Sequence, residues 1–133
     1  MKTIIPPIKS QGIKTKLVPW INNIIPDTNG RWIEPFLGTG VVAFNMLFEE
    51  AILNDTNPHI IKLYKEIKEG EITAQSVREY LEKEGENLKK SGDNGYEHFR
   101  KIKNRFNKEN NSLDFIFLSR AAFNGMMRFN KKG

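Results

Sequence analysis

The sequence predicts an α/β fold whose first half is built like the start of a Rossmann sheet. Three observations predict this class: strand and helix patterns alternate in the first half, a glycine-containing loop follows the first strand, and charged amphipathic helices fill the second half. A chain of 133 residues forms at most one domain with a modest core. Ligands of Rossmann sheets bind at the carboxyl ends of the strands, so a site is expected at the glycine loop.

The first half contains five predicted elements. Apolar residues at helical spacing from Leu17 to Ile25 predict a helix with Pro19 near its first turn. Short apolar runs predict two strands, and Asn57 followed by Pro58 is a typical helix start. The elements are a helix over 14–25, a strand over 31–36, a helix over 41–48, a strand over 51–54 and a helix over about 58–68.

The second half is predicted to be helical and rich in charge. Its apolar residues recur at helical spacing, with Val77, Leu81 and Leu88 on one side of the first helix. The predicted helices cover 72–90, 96–107 and 112–123, and the glycine- and asparagine-containing residues 91–95 form a turn. No internal repeat or low-complexity tract occurs in the sequence.

The composition limits the chemistry open to the chain. The absence of cysteine removes disulfides, thiolate metal ligands and cysteine nucleophiles, and no motif predicts a metal site. The sequence has no long apolar run, and residues 1–7 are too short for a secretory signal, so we expect no membrane partner. A cytoplasmic location is the expectation.

The net charge of +5 is unevenly distributed along the chain. Eight basic residues and no acid lie before Asp27 and after Asp114, whereas the middle holds all 16 acids against 13 basic residues. Such separation suits a basic face that meets a polyanion. Ordinary surface lysines explain the charge pattern equally well.

The loop over 34–40 is the first candidate site. Gly38 and Gly40 allow the backbone to turn tightly and approach a ligand, and the following helix offers amide groups to an anion. The run from Gly38 to Ala43 also satisfies the dinucleotide-binding fingerprint. A purely structural turn between strand and helix is the alternative.

Two further segments flank this loop with polar groups. Asp55 follows the second strand, where an acid can accept hydrogen bonds from the ribose of a nucleoside; a turn or capping role is the alternative. Gly12 and Lys14 precede the first helix and could together hold a carboxylate. On its own, this second segment is only a helix start with surface lysines.

The segment over 123–130 is the last candidate. Asn124 and Arg128 are side chains suited to paired hydrogen bonds with base edges or phosphates. The adjoining Asn-Gly pair predicts a turn, and Phe123 and Phe129 could pack against sugars or bases. A polar turn after an amphipathic helix is the alternative.

Together the four motifs resemble the Dam-type adenine-specific DNA methyltransferases. They occur in that family's order and approximate spacing from residue 8 to the last residue. The matching residues are Lys9, Gly12 and Lys14, then Glu34, Pro35, Phe36, Gly38 and Gly40, then Asn54 and Asp55, then Phe123, Asn124, Gly125, Arg128 and Asn130.

The resemblance implies a Rossmann-like S-adenosylmethionine-dependent methyltransferase fold with an incomplete sheet. It implies methyl transfer from S-adenosylmethionine to the exocyclic amine of adenine in double-stranded DNA. Residues 1–71 would be the first part of the cofactor-binding domain, and 72–133 the helical target-recognition segment. The implied cofactor-binding residues are Ser10, Gly12, Lys14, Glu34, Phe36, Gly38, Gly40 and Asp55, and the implied DNA-binding residues are Lys9, Asn124 and Arg128.

The sequence departs from the family pattern in two ways. Ser10 stands where many members have an aromatic residue, which puts stacking on the cofactor from that position in doubt. No catalytic Asp-Pro-Pro-Tyr tetrad occurs among the 133 residues, so no catalytic residue can be named. We therefore expect a truncated product, a split subunit or a fragment that is inactive alone and that a carboxyl-terminal half would complement. With only two readable strands, low stability or self-association is also expected.

Two other functions fit part of the sequence. A nicotinamide-dependent oxidoreductase explains the glycine loop and Asp55, but not the segments around Lys14 and Asn124. A non-enzymatic DNA-binding module explains the basic ends, but makes the glycine loop incidental.

Overall fold

The computed structural model describes residues 2–27 and 29–122, which form a mixed architecture of helices and a small parallel sheet. A short 3-10 helix, Thr15–Leu17, leads into the first α-helix. The elements are α1 (Val18–Ile24), β1 (Trp32–Glu34), α2 (Ala43–Met46), β2 (Ala51–Leu53), α3 (Pro58–Lys68), α4 (Ala74–Lys90), α5 (Tyr96–Glu109) and α6 (Ser112–Ala121).

The two strands pair in parallel, with Ile33 opposite Ile52. Both are shorter than predicted, and β1 ends before Pro35, which has no amide hydrogen to donate. Beyond the strands, the Asn54 amide donates to the Glu34 carbonyl at 2.9 Å and the Leu37 amide donates to the Asn54 carbonyl at 2.8 Å. The chain after β1 therefore stays beside the chain after β2.

The helices of the first half differ in how well the sequence predicted them. The bounds of α3 are confirmed: Asn57 caps it by accepting from the His59 amide at 3.0 Å. The predicted helix over 41–48 is too long, because Leu47 adopts a left-handed φ of 52° that ends α2. The predicted helix over 14–25 is divided between the 3-10 helix and α1.

Two of the three helices of the second half, α4 and α6, begin at side-chain caps. The α4 helix starts two residues later than predicted, because Thr73 caps it by accepting from the Ser76 amide at 3.1 Å. The α5 helix is two residues longer than predicted and ends at Glu109, because the next residue, Asn110, adopts a left-handed φ of 54°. Asn111 then caps α6 by accepting from the Leu113 amide at 2.8 Å.

The main hydrophobic core lies around α6, which is buried on nearly all sides. It draws on both halves of the chain and contains Ile8, Leu37, Ile60, Leu63, Ile72, Ile102, Phe106, Phe115, Ile116, Phe117 and Leu118. A second cluster of Val18, Val41 and Val42 packs against Trp32 and supports the chain on either side of the glycine loop. These two cores hold the site described below.

Apolar side chains also remain on the surface. In α1, Val18 is buried but Trp20 and Ile24 are 59% and 56% exposed, so the predicted apolar stripe of this helix is only partly covered. On the sheet, Ile33 and Ile52 are both exposed. Within the described residues, no helix is long and apolar enough to cross a membrane, and no group of three or more candidate metal ligands is found.

Candidate cofactor site

The glycine loop turns at the carboxyl end of β1 through two glycines in left-handed conformations. Gly38 has a φ of 56° and Gly40 a φ of 82°. A Cβ atom at Gly40 would lie 2.1 Å from the Phe44 ring, whereas one at Gly38 would meet no atom of the described residues within 4 Å. Gly40 is therefore required by packing inside the protein, and Gly38 leaves open space on the outer side of the loop.

The Asp55 carboxylate braces this loop. One oxygen accepts from the Gly38 amide at 2.8 Å, and the other accepts from the Asn57 amide at 2.9 Å. The acid thus joins the glycine loop to the start of α3. Each carboxylate oxygen has a further lone pair that can accept from a ligand hydroxyl.

Tyr64 on α3 supports the loop from the inside, a contact that the sequence did not predict. Its hydroxyl donates to the Thr39 carbonyl at 2.5 Å, and its ring meets Phe44 edge-on with centroids 4.8 Å apart. Burial raises the pKa of Tyr64, so its hydroxyl remains a donor at neutral pH. A lone tyrosine within an amphipathic helix carries no sequence signal of such a role.

A small pocket of about 80 Å³ lies between the glycine loop and the segment before α1. Its lining consists of Ser10, Gln11, Gly12, Ile13, Lys14, Glu34, Phe36, Leu37, Gly38, Thr39, Val41 and Val42. Six of the eight cofactor-binding residues expected from the sequence are in this lining. The other two are adjacent: Gly40 is buried within the loop, and Asp55 accepts a hydrogen bond from the Gly38 amide.

The polar groups of this pocket include both signs of charge. Lys14 is exposed at one wall, and Glu34 accepts from the Trp32 indole N–H at 3.1 Å on the other. The helix that follows the loop, α2, has only four residues, so its dipole contributes little to anion binding. An anionic group here would therefore depend on Lys14 and on the loop amides.

A strap formed by residues 4–9 leads directly into the Ser10 wall of the pocket. At its start, the Ile4 amide donates to the Asn45 side-chain oxygen at 2.8 Å, and the Asn45 amide group donates back to the Ile4 carbonyl at 2.9 Å. At its end, the Lys9 amide donates to the Ser119 hydroxyl at 3.2 Å. The strap is thereby tied both to α2 and to α6.

The residues expected to face DNA are only partly within the described structure. The Lys9 side chain is exposed beside α6, where Arg120 donates through Nε to the Pro7 carbonyl at 3.0 Å. Asn124 and Arg128 lie outside the described residues.

Two strands are parallel, a glycine loop lies at their carboxyl edge, and an acid follows the second strand. This arrangement is typical of α/β proteins that bind nucleoside-bearing cofactors. The chain belongs to the D12 class N6 adenine-specific DNA methyltransferase family, whose model matches residues 10–133. This confirms the resemblance to adenine-specific DNA methyltransferases. It also decides against the nicotinamide-dependent alternative.

Several curated relatives are similar over nearly the whole chain. A Type II methyltransferase, M.MjaIII, of Methanocaldococcus jannaschii is 31% identical over 96% of this chain. The DNA adenine methylases of Vibrio cholerae and Haemophilus influenzae are each 32% identical over 95% and 96% of it. The matched regions are 49%, 44% and 44% of those relatives, so the chain spans about half their length.

Proposed function

We propose that this chain forms the S-adenosylmethionine-binding part of an adenine-specific DNA methyltransferase with a Rossmann-like fold. The single observation that carries the proposal is the pocket beside the glycine loop, which brings together residues 10–14 and 34–42. These segments are distant in the sequence, and each holds residues that match the family's cofactor motifs. Membership of the family supports the same function.

The pocket residues fit the methionine end of such a cofactor. Lys14, with the amides around Gly12, can bind its carboxylate, and the open side of Gly38 allows the ligand to approach the loop. A volume of about 80 Å³ holds only one end of the ligand, so the remainder must lie along the outside of the loop. Phe36, which is 75% exposed there, can pack against it.

Asp55 would bind the ribose while it keeps the loop in place. Its two oxygens already accept backbone amides, and their remaining lone pairs can accept the ribose hydroxyls. Glu34, at the end of β1, is held by the Trp32 indole and presents its carboxylate to the pocket. Ser10, whose hydroxyl donates to the Gln11 carbonyl at 3.1 Å, completes the wall.

The bound cofactor would supply the methyl group, and the target adenine must be presented to it. The exocyclic amine is a weak nucleophile because its lone pair is delocalised into the ring, so it has to be held by hydrogen-bond acceptors beside a stacking aromatic ring. The 133 residues contain no Asp-Pro-Pro-Tyr tetrad for this task. We propose that a complementing segment provides the tetrad, while Lys9, Asn124 and Arg128 contact the DNA.

Calorimetric titration of the 133-residue chain with S-adenosylmethionine, with NAD as the parallel ligand, tests this function. We expect binding of S-adenosylmethionine alone. Lys14→Ala should weaken it by about tenfold to hundredfold, because a hydrogen bond to a charged group contributes about 1.5–3 kcal/mol. Lys16→Ala is the matched control, since Lys16 is an exposed lysine two residues away that does not line the pocket.

The proposal fails if a folded chain binds neither ligand, or binds NAD instead. If the Lys14→Ala and Lys16→Ala variants bind S-adenosylmethionine equally well, the pocket beside the glycine loop is not the binding site. Circular dichroism of each variant establishes that the chain is folded.

A further inference from the structure

A broad groove of about 930 Å³ lies on the helical second half of the chain, between the end of α4 and the outer face of α5. None of its residues belongs to the candidate cofactor site. Its lining includes the cations Lys90, Arg100, Lys101 and Lys108 and the acids Glu97 and Glu109. The groove is therefore a second, separate surface that the proposed cofactor chemistry leaves without a role.

The groove is rich in cations that form no ion pair within the described part of the chain. These cations are Lys90, Arg100, Lys101 and Lys108. The two lining acids lie near the two ends of α5, and Arg100, Lys101 and Lys108 lie on the turns between them. Unpaired cations around a concave surface favour an anionic ligand.

The cations occupy one side of α5. At about 100° per residue, Arg100, Lys101 and Lys108 fall within roughly 100° of the helix circumference, and the buried Ile102 and Phe106 lie on the opposite side. From Arg100 to Lys108 the helix rises about 12 Å. One DNA strand carries a charge about every 3.4 Å along the helix axis, so this length spans about three phosphates.

A polar network around the buried Asp114 carboxylate fixes the orientation of this helix face. Asp114, which is fully buried, accepts from Arg105 Nε at 2.9 Å and from Arg105 Nη2 at 2.5 Å, and the Tyr80 hydroxyl donates to the same carboxylate. The hydrogen bond to Asp114 raises the pKa of the Arg105 guanidinium. This network joins α4, α5 and α6.

A second buried contact joins α4 and α5 near the groove. His98 Nε2 lies 2.7 Å from a carboxylate oxygen of the buried Glu84. The backbone of α5, which carries the exposed cations, is therefore held by its neighbouring helices. Less conformational entropy of the backbone is then lost when an extended anion binds.

We propose that this groove binds the phosphate backbone of double-stranded DNA. The proposal rests on the proposed function, because a DNA methyltransferase must engage a duplex while it binds its cofactor. Lysine and arginine side chains spread along a helix suit a line of phosphates better than a single small anion. The contacts hold DNA without reading its sequence, since phosphates are the same at every base pair.

The test compares two triple variants of the full 133-residue chain. The groove variant is Arg100→Ala, Lys101→Ala and Lys108→Ala. The matched control is Arg78→Ala, Lys68→Ala and Lys83→Ala, which removes one arginine and two lysines that are exposed outside the groove. Binding of a short labelled DNA duplex is measured by fluorescence anisotropy over a series of salt concentrations.

We expect the groove variant to bind at least about tenfold more weakly, and its salt slope to fall by about 1 for each phosphate contact removed. Two duplexes of different sequence should lose affinity equally, and the control should retain the affinity and slope of the unsubstituted chain. Circular dichroism and thermal melting establish that both variants are folded.

The groove proposal is overturned if both triple variants bind DNA equally well. In that case the proposed function stands, and other residues such as Lys9 make the phosphate contacts. If the unsubstituted chain binds S-adenosylmethionine but no DNA, the groove proposal is overturned while the cofactor site stands.

Discussion

The two glycines of the glycine loop, Gly38 and Gly40, look alike in the sequence but have different structural roles. Gly40 is buried against Phe44, and Gly38 faces open space with its amide bonded to Asp55. Both have positive φ, which costs a residue with a side chain about 1–2 kcal/mol. The difference between them is therefore a steric one.

We predict that Gly40→Ala destabilises the protein more than Gly38→Ala. The added methyl group at position 40 must displace the Phe44 ring from its contact with Tyr64, and overpacking of this kind costs about 1–3 kcal/mol beyond the backbone strain that both variants share. Urea unfolding of the two variants measures the difference. Equal free energies of unfolding would contradict the packing role of Gly40.

At the scale of elements, the strap over residues 4–9 connects the candidate cofactor pocket to α6. The Lys9 amide, one residue before Ser10 in the pocket wall, donates to Ser119, and the Ser119 hydroxyl donates to the Ile116 carbonyl at 2.8 Å. Arg120 holds the Pro7 carbonyl. The same helix therefore positions the start of the pocket wall and leads towards the segment expected to face DNA.

We predict that Ser119→Ala loosens the strap, since it removes the acceptor for the Lys9 amide and a hydrogen bond of this kind contributes about 0.5–1.5 kcal/mol. Hydrogen exchange at Lys9 should become faster while exchange in α3 stays unchanged. Ser112→Ala is the matched control, because Ser112 is buried on the same helix and its hydroxyl makes no hydrogen bond within the described part of the chain. If the Lys9 amide exchanges at the same rate in both variants, Ser119 does not hold the strap in place.

At the scale of the whole molecule, the described structure buries α6 thoroughly but leaves one face of the sheet open. Ile33 and Ile52 are opposite each other in the register and are 61% and 48% exposed. Phe36 is 75% exposed close to the end of β1. Exposed apolar side chains beside strand edges that pair with no further strand in the described part of the chain favour association with another surface.

We therefore predict that the 133-residue chain self-associates as its concentration rises. Ile33→Thr combined with Ile52→Thr should shift it towards the monomer, because threonine retains the strand preference and reduces the apolar area. Ile67→Thr, at an exposed isoleucine on α3, is the control. Size-exclusion chromatography with light scattering measures the mass, and a monomer at every concentration would contradict the prediction.

The sequence alone determined the features that depend on local signals. The cap at Asn57 followed by Pro58 defined α3 to the residue, and the glycine, acid and lysine motifs predicted residues that the structure gathers around one pocket. Local signals were insufficient where neighbouring residues could adopt more than one conformation. The length of α2 is such a case, because it depends on the left-handed conformation of Leu47.

Only the tertiary structure decided how distant groups meet. The ties of the strap join residues 41, 110 and 113 positions apart, and no pattern within either partner's segment indicates the other. The basic groove likewise depends on the rotation of α5, which the buried network of Tyr80, Arg105 and Asp114 sets. Helix caps and turns involve neighbours in the chain, whereas these contacts form only when the core has brought separate helices together.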